Sequence, residues 1–278
     1  MSRTKPDAAA LVALVEKARA GDGAALEGIV REIQQPIYRL ALRMLWHPED
    51  ARDATQDILV RVITQLGSFR GDSALTTWVY RVAANYLLSA KKSRLEAQAL
   101  SYEAFAADLD DGLDLTAFRR EDPESIAILE EIKVGCTLAM LSCLDRPHRL
   151  AYILGEIAEL TDAEGAAALE VTQDAFRKRL SRARRTVSDF MLGHCGLLDP
   201  VRSCRCHRRA RRAMSSGRVD PQRLMFVPSL AHARRFPEVL KEIRALEATR
   251  RAAALLRSHA DHRIDFVAEL RELVAQRP

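Results

Sequence analysis

Glycine and proline are scarce, at 12 and 10 of 278 residues, and aromatics make up 5% of the chain with only two Trp. Alanine, leucine, arginine and glutamate dominate instead. These are strong helix formers, and the balance argues against a sandwich, a barrel or a doubly wound sheet. No run of about 18 apolar residues is present, which excludes a helix that spans a bilayer. The first 22 residues lack a clean apolar stretch, because Glu16, Lys17 and Arg19 interrupt it. They do not read as a secretory signal, and the expected location is cytoplasmic. No G-x-x-x-x-G-K-[ST], G-x-G-x-x-G or H-E-x-x-H motif occurs, and nothing pairs a nucleophile with a base. The chain is therefore not expected to be an enzyme. Five cysteines in a reducing compartment are not expected to form structural disulfides.

The residues that are present suit a globular protein. Hydrophobic residues reach 48% and charged residues 29%, which excludes collagen-like and wholly disordered chains. The formal net charge of +5 hides three blocks. Residues 101–131 hold ten acids and two bases, a local net of −8. Residues 172–188 hold six Lys or Arg against one acid, and residues 202–218 hold seven Arg and no acid. Clustered basic charge is what phosphate binding requires, although a solvated helix face has the same composition.

Periodicity gives an all-α organisation. Helical patterns run over Leu11–Ala20, Ala24–Leu45, Glu49–Leu66 and Thr76–Ser93, with Gly21–Gly23, His47–Pro48 and Gly67–Ser73 between them. Residues 7–100 thus read as one helical domain. Residues 101–122 have little apolar periodicity and read as an acidic linker. Residues 123–192 read as a second helical domain. Residues 193–278 read as an extension bearing Arg and Cys, with helices near Pro237–Ser258 and Ile264–Gln276. His259 and His262 are isolated in the pattern and are expected to face solvent.

The second domain contains a short helix, a tight turn and a basic helix. Asp162–Leu169 is the short helix, Glu170-Val171-Thr172 the turn, and Thr172 a candidate cap for the basic helix. On that helix Phe176, Leu180, Ala183 and Val187 form one apolar stripe. Asp174, Lys178, Ser181, Arg182 and Arg185 fall on the opposite side. A helix held by one face and basic on the other suits a DNA major groove, where Arg and Lys contact phosphates and guanine. An ordinary amphipathic surface helix is the bland alternative.

In these elements the sequence resembles the bacterial extracytoplasmic-function (ECF) RNA polymerase sigma factors. Thr172–Arg184, TQDAFRKRLSRAR, resembles their recognition helix, and Leu144–Glu156 resembles the helix that opens the same domain. Gln35–Met44, Glu49–Val62 and Phe69–Asn85 resemble the first long helix, the polymerase-binding helix and the melting element of their promoter-melting domain. The resemblance implies two small helical domains, region 2-like and region 4-like, joined by the acidic linker. It implies that Arg177, Lys178, Ser181, Arg182 and Arg185 recognise the −35 element. Trp78, Arg81, Asn85, Lys91, Lys92 and Arg94 would then read and melt the −10 element. Asp50, Asp53, Gln56 and Asp57 would bind core RNA polymerase through its β′ subunit, with β as a further contact. Promoter DNA and an anti-sigma factor complete the expected partners.

The residues also support this without the family. Asp50, Asp53 and Asp57 share a narrow helical arc suited to a basic partner, although acids near a helix start are favoured by its dipole alone. For Trp78 packing in the core is the stronger expectation, and for Arg81 and Asn85 a structural hydrogen bond competes with DNA contact. Two departures from the family stand out. Glu170 occupies a turn position that usually holds Gly; at positive φ this costs about 1 kcal/mol. Gly165 replaces a large aliphatic residue and is expected to cost about 1 kcal/mol of helix propensity and to leave less core to pack.

The tail adds a separate constellation. His194, Cys195, Cys204, Cys206 and His207 lie within fourteen positions, and four of them can close a tetrahedral site for zinc or Cu(I). A reversible redox pair or no ligand role are the alternatives. Cys136 and Cys143 read as small buried hydrophobes. A stand-alone helix-turn-helix regulator and a metal- or redox-sensing protein are thus the rival functions.

Overall fold

The computed structural model describes residues 8–90, 101–110, 118, 122–227 and 229–275. The regular elements among them are helices, and the one pairing outside helices is an isolated parallel bridge between Cys195 and Cys204. In chain order the helices are α1 (Ala8–Arg19), α2 (Gly23–Leu45), α3 (Pro48–Gln65), α4 (Leu75–Ser89), α5 (Tyr102–Asp110), α6 (Pro123–Ser142) and α7 (Arg146–Tyr152). They continue with α8 (Asp162–Leu169), α9 (Gln173–His194), α10 (Cys206–Ser215), α11 (Leu230–Ala245), α12 (Ala248–Arg257) and α13 (Val267–Ala275). No helix among the described residues is long and apolar enough to cross a membrane.

The chain packs as two compact units that do not follow chain order. The first comprises Met1–Lys91, Leu160–Arg177 and Arg263–Pro278. Its centre is α2 against α3, with α1 and α4 beside them. The apolar stripes meet at this centre: Ile29, Ile33, Ile37 and Met44 of α2, Ile58 and Leu59 of α3 and Leu87 of α4 are fully buried. Each such side chain contributes about 1.5–3 kcal/mol by leaving water. Asp22 caps α2 by accepting from Ala24 N–H at 2.9 Å, and Pro48 opens α3 at a position where a missing N–H costs nothing. Helix α8 packs on α4. Phe266, fully buried, ties the last segment to this unit: its N–H donates to the Gln34 side chain at 2.8 Å.

The second unit comprises Lys92–Glu159 and Lys178–His262. Its long axis is α6, against which α10 and α11 pack. Ile128 and Ile132 of α6 meet Ala210 of α10 and Val219. Glu131 of α6, buried, accepts the backbone N–H groups of Met225 and Phe226 at 2.8 and 2.7 Å.

Three sequence expectations need correction. Part of the segment read as a linker is helix α5. Its apolar face is only Phe105 and Leu109, too short to register as a period, and its partners are remote in sequence. Phe105 stacks on Phe190 at 5.6 Å, and Asp108 pairs with Arg209 at 3.0 Å and with Arg218 at 2.6 Å. The helix expected over Pro237–Ser258 is two helices, starts earlier, and breaks at Leu246–Glu247. Its apolar stripe serves two surfaces, since α11 packs on α6 while α12 packs on the π-turn Ile153–Ile157 that extends α7. Finally, His259 does not face solvent. It is 8% exposed and its Nε2 lies 2.9 Å from Thr137 Oγ1, while burial lowers the His262 pKa.

Candidate nucleic-acid interface

Helix α4 and the loop before it build a cavity of about 230 Å³, lined by Ser68, Phe69, Arg70, Asp72, Ser73, Trp78 and Arg81. A 3-10 turn, Leu66–Ser68, and Gly71 at φ +80° bend the loop back over α4, a conformation that favours glycine. Trp78 is 4% exposed, and its ring tilts against Phe69 at 5.7 Å. It therefore forms a wall of the cavity and part of the core at once. Arg81 supplies a cationic donor at the rim. Arg70, Asp72 and Ser73 were not anticipated; the signal was their place in a short polar loop directly ahead of the aromatic-basic helix.

Asn85 lies one turn beyond Arg81 and outside this cavity. Its Nδ2 donates to Glu170 Oε2 at 2.9 Å. Tyr86 is held from two sides: its hydroxyl donates to Asp57 Oδ2 at 2.7 Å, and the Arg61 guanidinium sits 5.0 Å from its ring centroid. Burial, then the Asp57 carboxylate, push the Tyr86 pKa up to about 12. Lys91, Lys92 and Arg94 lie outside the described residues.

On α3 the structure separates the acidic residues by role. Asp50 and Asp53 are exposed, Gln56 is half-buried beside them, and Asp57 is exposed but spends one oxygen on Tyr86. Ala51, Ala54, Thr55, Ile58, Leu59 and Val62 form the buried face.

Helix α9 carries the basic face, and α8 precedes it. Thr161 and Glu164 close a capping box at the start of α8: the Thr161 hydroxyl accepts from Glu164 N–H at 3.2 Å, and Thr161 N–H donates to Glu164 Oε2 at 2.8 Å. Glu170 ends α8 at φ +52°, the strained left-handed conformation its position implied. Thr172 accepts from Ala175 N–H at 3.2 Å and starts α9 as expected. The apolar stripe is buried, with Phe176, Ala183 and Val187 at 0% exposure and Leu180 at 6%. Arg177, Lys178, Ser181, Arg182 and Arg185 are exposed on the other side. Arg184, also exposed, is engaged within the protein: its Nε donates to Glu156 at 2.7 Å.

Gly165 requires a correction. A Cβ there would stand 2.2 Å from the Phe176 ring. The position does not leave core unfilled, because Phe176 occupies the space a larger residue would take. Gly155 is matched to Leu180 in the same way, at 2.6 Å.

The tail residues do not gather as the sequence suggested. His194 packs its ring on Phe190 at 4.7 Å. Cys195, Cys204 and Cys206 are half-buried, as is His207. Among the described residues, no three His, Cys, Asp or Glu side chains stand at metal-holding spacing.

Comparison with known proteins matches residues 29–95 to Sigma-70 region 2. The chain is 28% identical over 179 residues to the RNA polymerase sigma-H factor of Pseudomonas aeruginosa, covering 63% of this chain and 90% of that protein. It is 30% identical over 183 residues to the ECF RNA polymerase sigma factor SigE of Mycolicibacterium smegmatis, covering 63% and 65%. It is 28% identical over 180 residues to the ECF RNA polymerase sigma-E factor of Escherichia coli, covering 63% and 91%. The bundle of α2, α3 and α4 thus carries the match to Sigma-70 region 2, and the relatives matched over 63% of this chain are RNA polymerase sigma factors.

Proposed function

We propose that this chain is an ECF-type sigma factor whose α3 docks on core polymerase and whose α4 loop reads the −10 element. The observation that carries this reading is the cavity inside the region 2 match. Unpaired bases taken from a duplex are held by stacking against aromatics and by hydrogen bonds to their edges. Trp78 and Phe69 offer apolar walls, and Arg81, Ser73 and Asp72 line the same cavity with the donors and acceptors that a base edge requires. The exposed pair Asp50 and Asp53 is the polymerase-facing part of α3, on the β′ or β subunit, because Asp57 is engaged by Tyr86.

In the same reading α8 and α9 are a region 4-like helix-turn-helix, and Arg177, Lys178, Ser181, Arg182 and Arg185 meet the −35 element. Their support is exposure on one face of a helix whose other face is fully buried. Asn85 joins the DNA contacts only after its bond to Glu170 opens. The test is a pull-down with core polymerase followed by run-off transcription from a promoter selected with the holoenzyme. Promoter-specific transcript requiring this chain supports the reading. DNA binding without polymerase binding overturns it in favour of a stand-alone regulator.

A further inference from the structure

The arginine block at 202–218, seven Arg and no acid, has no task in the promoter reading. The structure sorts its members. Arg202 donates through Nε to Leu192 carbonyl oxygen at 3.0 Å, and Arg205 through Nη2 to Pro200 carbonyl oxygen at 2.7 Å. Arg209 and Arg218 pair with Asp108 of α5. Arg208 spends one N–H on Ser203 carbonyl oxygen at 3.0 Å, out of the five that a guanidinium carries. Arg211 and Arg212 are exposed.

Helix α10 sets Arg208, Arg211 and Arg212 on one side. At its regular turn, Cys206, Arg209, Ala210 and Ala213 fall within an arc of about 100°. Arg209 and Ala210 are buried, and Cys206 and Ala213 pack against the cluster built on Ile128 and Ile132 of α6. Arg208, Arg211 and Arg212 fall within an equal arc on the opposite side. The helix dipole favours Arg212 in the last turn but opposes Arg208 in the first, so helix stability alone does not select this face. The rise from Arg208 to Arg212 is about 6 Å. Duplex DNA carries one negative charge per roughly 1.7 Å of its axis, so three cations on that span meet a matching row of phosphates. Residues 202–218 hold no Phe, Tyr or Trp, the stacking platforms by which single strands are held.

Helix α10 also starts where α9 ends. The isolated bridge joins Cys195, the residue after α9, to Cys204, two residues before α10. Gly196 N–H donates to Cys204 carbonyl oxygen at 3.0 Å and locks that register. The Arg205 guanidinium lies over Gly196, where a Cβ would overlap it. Through the bridge, the backbone path from Arg185 of α9 to Arg211 is at most about 35 Å, the length of one duplex turn. We propose that Arg208, Arg211 and Arg212 form a second duplex-DNA contact, which grips the phosphate backbone without reading bases and lies within one helical turn of the contact made by α9. Its placement beside α9 rests on the −35 reading of that helix; the contact itself does not. Backbone contacts of this kind add affinity for any sequence and fix how the protein sits on the duplex.

The experiment uses the full chain without polymerase, and fluorescence anisotropy with a random-sequence duplex over a salt series. Arg211→Gln with Arg212→Gln is expected to weaken binding roughly tenfold or more at about 0.1 M salt, and to flatten the slope of log K against log salt by about 2. Arg211→Lys with Arg212→Lys keeps the charge and should keep the slope. Arg234→Gln with Arg235→Gln removes the same charge from exposed sites on α11, where Glu238 and Glu242 follow, and should leave the slope at its wild-type value. Should the first pair fail to fold, phenylglyoxal modification of the wild-type chain decides: duplex must protect Arg211 and Arg212 and leave Arg234 and Arg235 reactive. A wild-type slope in the folded first pair, an equal loss in the α11 pair, or a lysine pair as weak as the glutamine pair each overturns the contact. A loss larger for single-stranded RNA than for duplex DNA gives the face to RNA and overturns it too. The −35 reading is tested separately by Arg182→Ala on a selected promoter duplex, so failure of either contact leaves the other standing.

Discussion

The bundle of α1 to α4 and the segment 193–227 are held together by different physics. In the bundle, stability comes from apolar stripes at helical spacing: Ile29, Ile33, Ile37, Ile58 and Leu87 are all fully buried. In 193–227 a small apolar cluster around Ala210 and Val219 is joined by polar, directed contacts. Arginines reach across to backbone carbonyls, Glu131 receives two backbone N–H groups, and Asp108 joins Arg209 and Arg218. The first kind of contact is non-directional and tolerates drift. The second orders a loop with little helix of its own and fixes where each backbone dipole points.

The comparison breaks first in the core. Ile58→Ala is expected to cost about 2–5 kcal/mol, since it opens a cavity between α2 and α3. Arg244→Ala is expected to cost about 1–3 kcal/mol by leaving two carbonyls without their donor. Denaturant unfolding of both variants checks the order, and a larger loss for Arg244→Ala would reverse the ranking of apolar burial over directed polar contacts. Gly165→Ala should cost about 1–3 kcal/mol, because its methyl meets the Phe176 ring and α8 must shift. Thermal melts of the full chain test this, and a stabilised variant would mean the ring moves freely.

Glu170→Gly is expected to gain about 1 kcal/mol by removing a side chain from positive φ. It also frees Asn85, so binding of promoter DNA should strengthen in the same variant; fluorescence anisotropy with a −10 single strand measures it. The smallest effect concerns acid. Arg218 holds the Asp108 carboxyl below its usual range, with Arg209 adding to this. A lowered folded-state pKa contributes stability above the ordinary carboxylate value of about 4, lost as pH falls through the lowered one. Asp108→Asn should therefore remove a stabilisation that is constant near neutrality and flatten the acid limb of the unfolding profile.

Much of the bundle and of α9 was legible in the residues because their contacts are local in the chain. The period of Phe176, Leu180, Ala183 and Val187 assigns the buried and exposed faces of α9 without any partner, and Thr172 announces the helix start that it caps. Helix α5 was not legible, because its two apolar residues acquire meaning only against Phe190. The burial of His259 follows from Thr137, 122 positions away.

Sequence alone thus determined the helical class, the aromatic-basic element ahead of Asn85 and the polar face of α9. Helical periodicity and charge spacing are properties of neighbouring residues. Tertiary structure decided the rest. It set Asn85 against Glu170 and turned Gly165 from a gap into a fit for Phe176. These depend on which surfaces meet, and no local pattern encodes a contact between residues 85 positions apart.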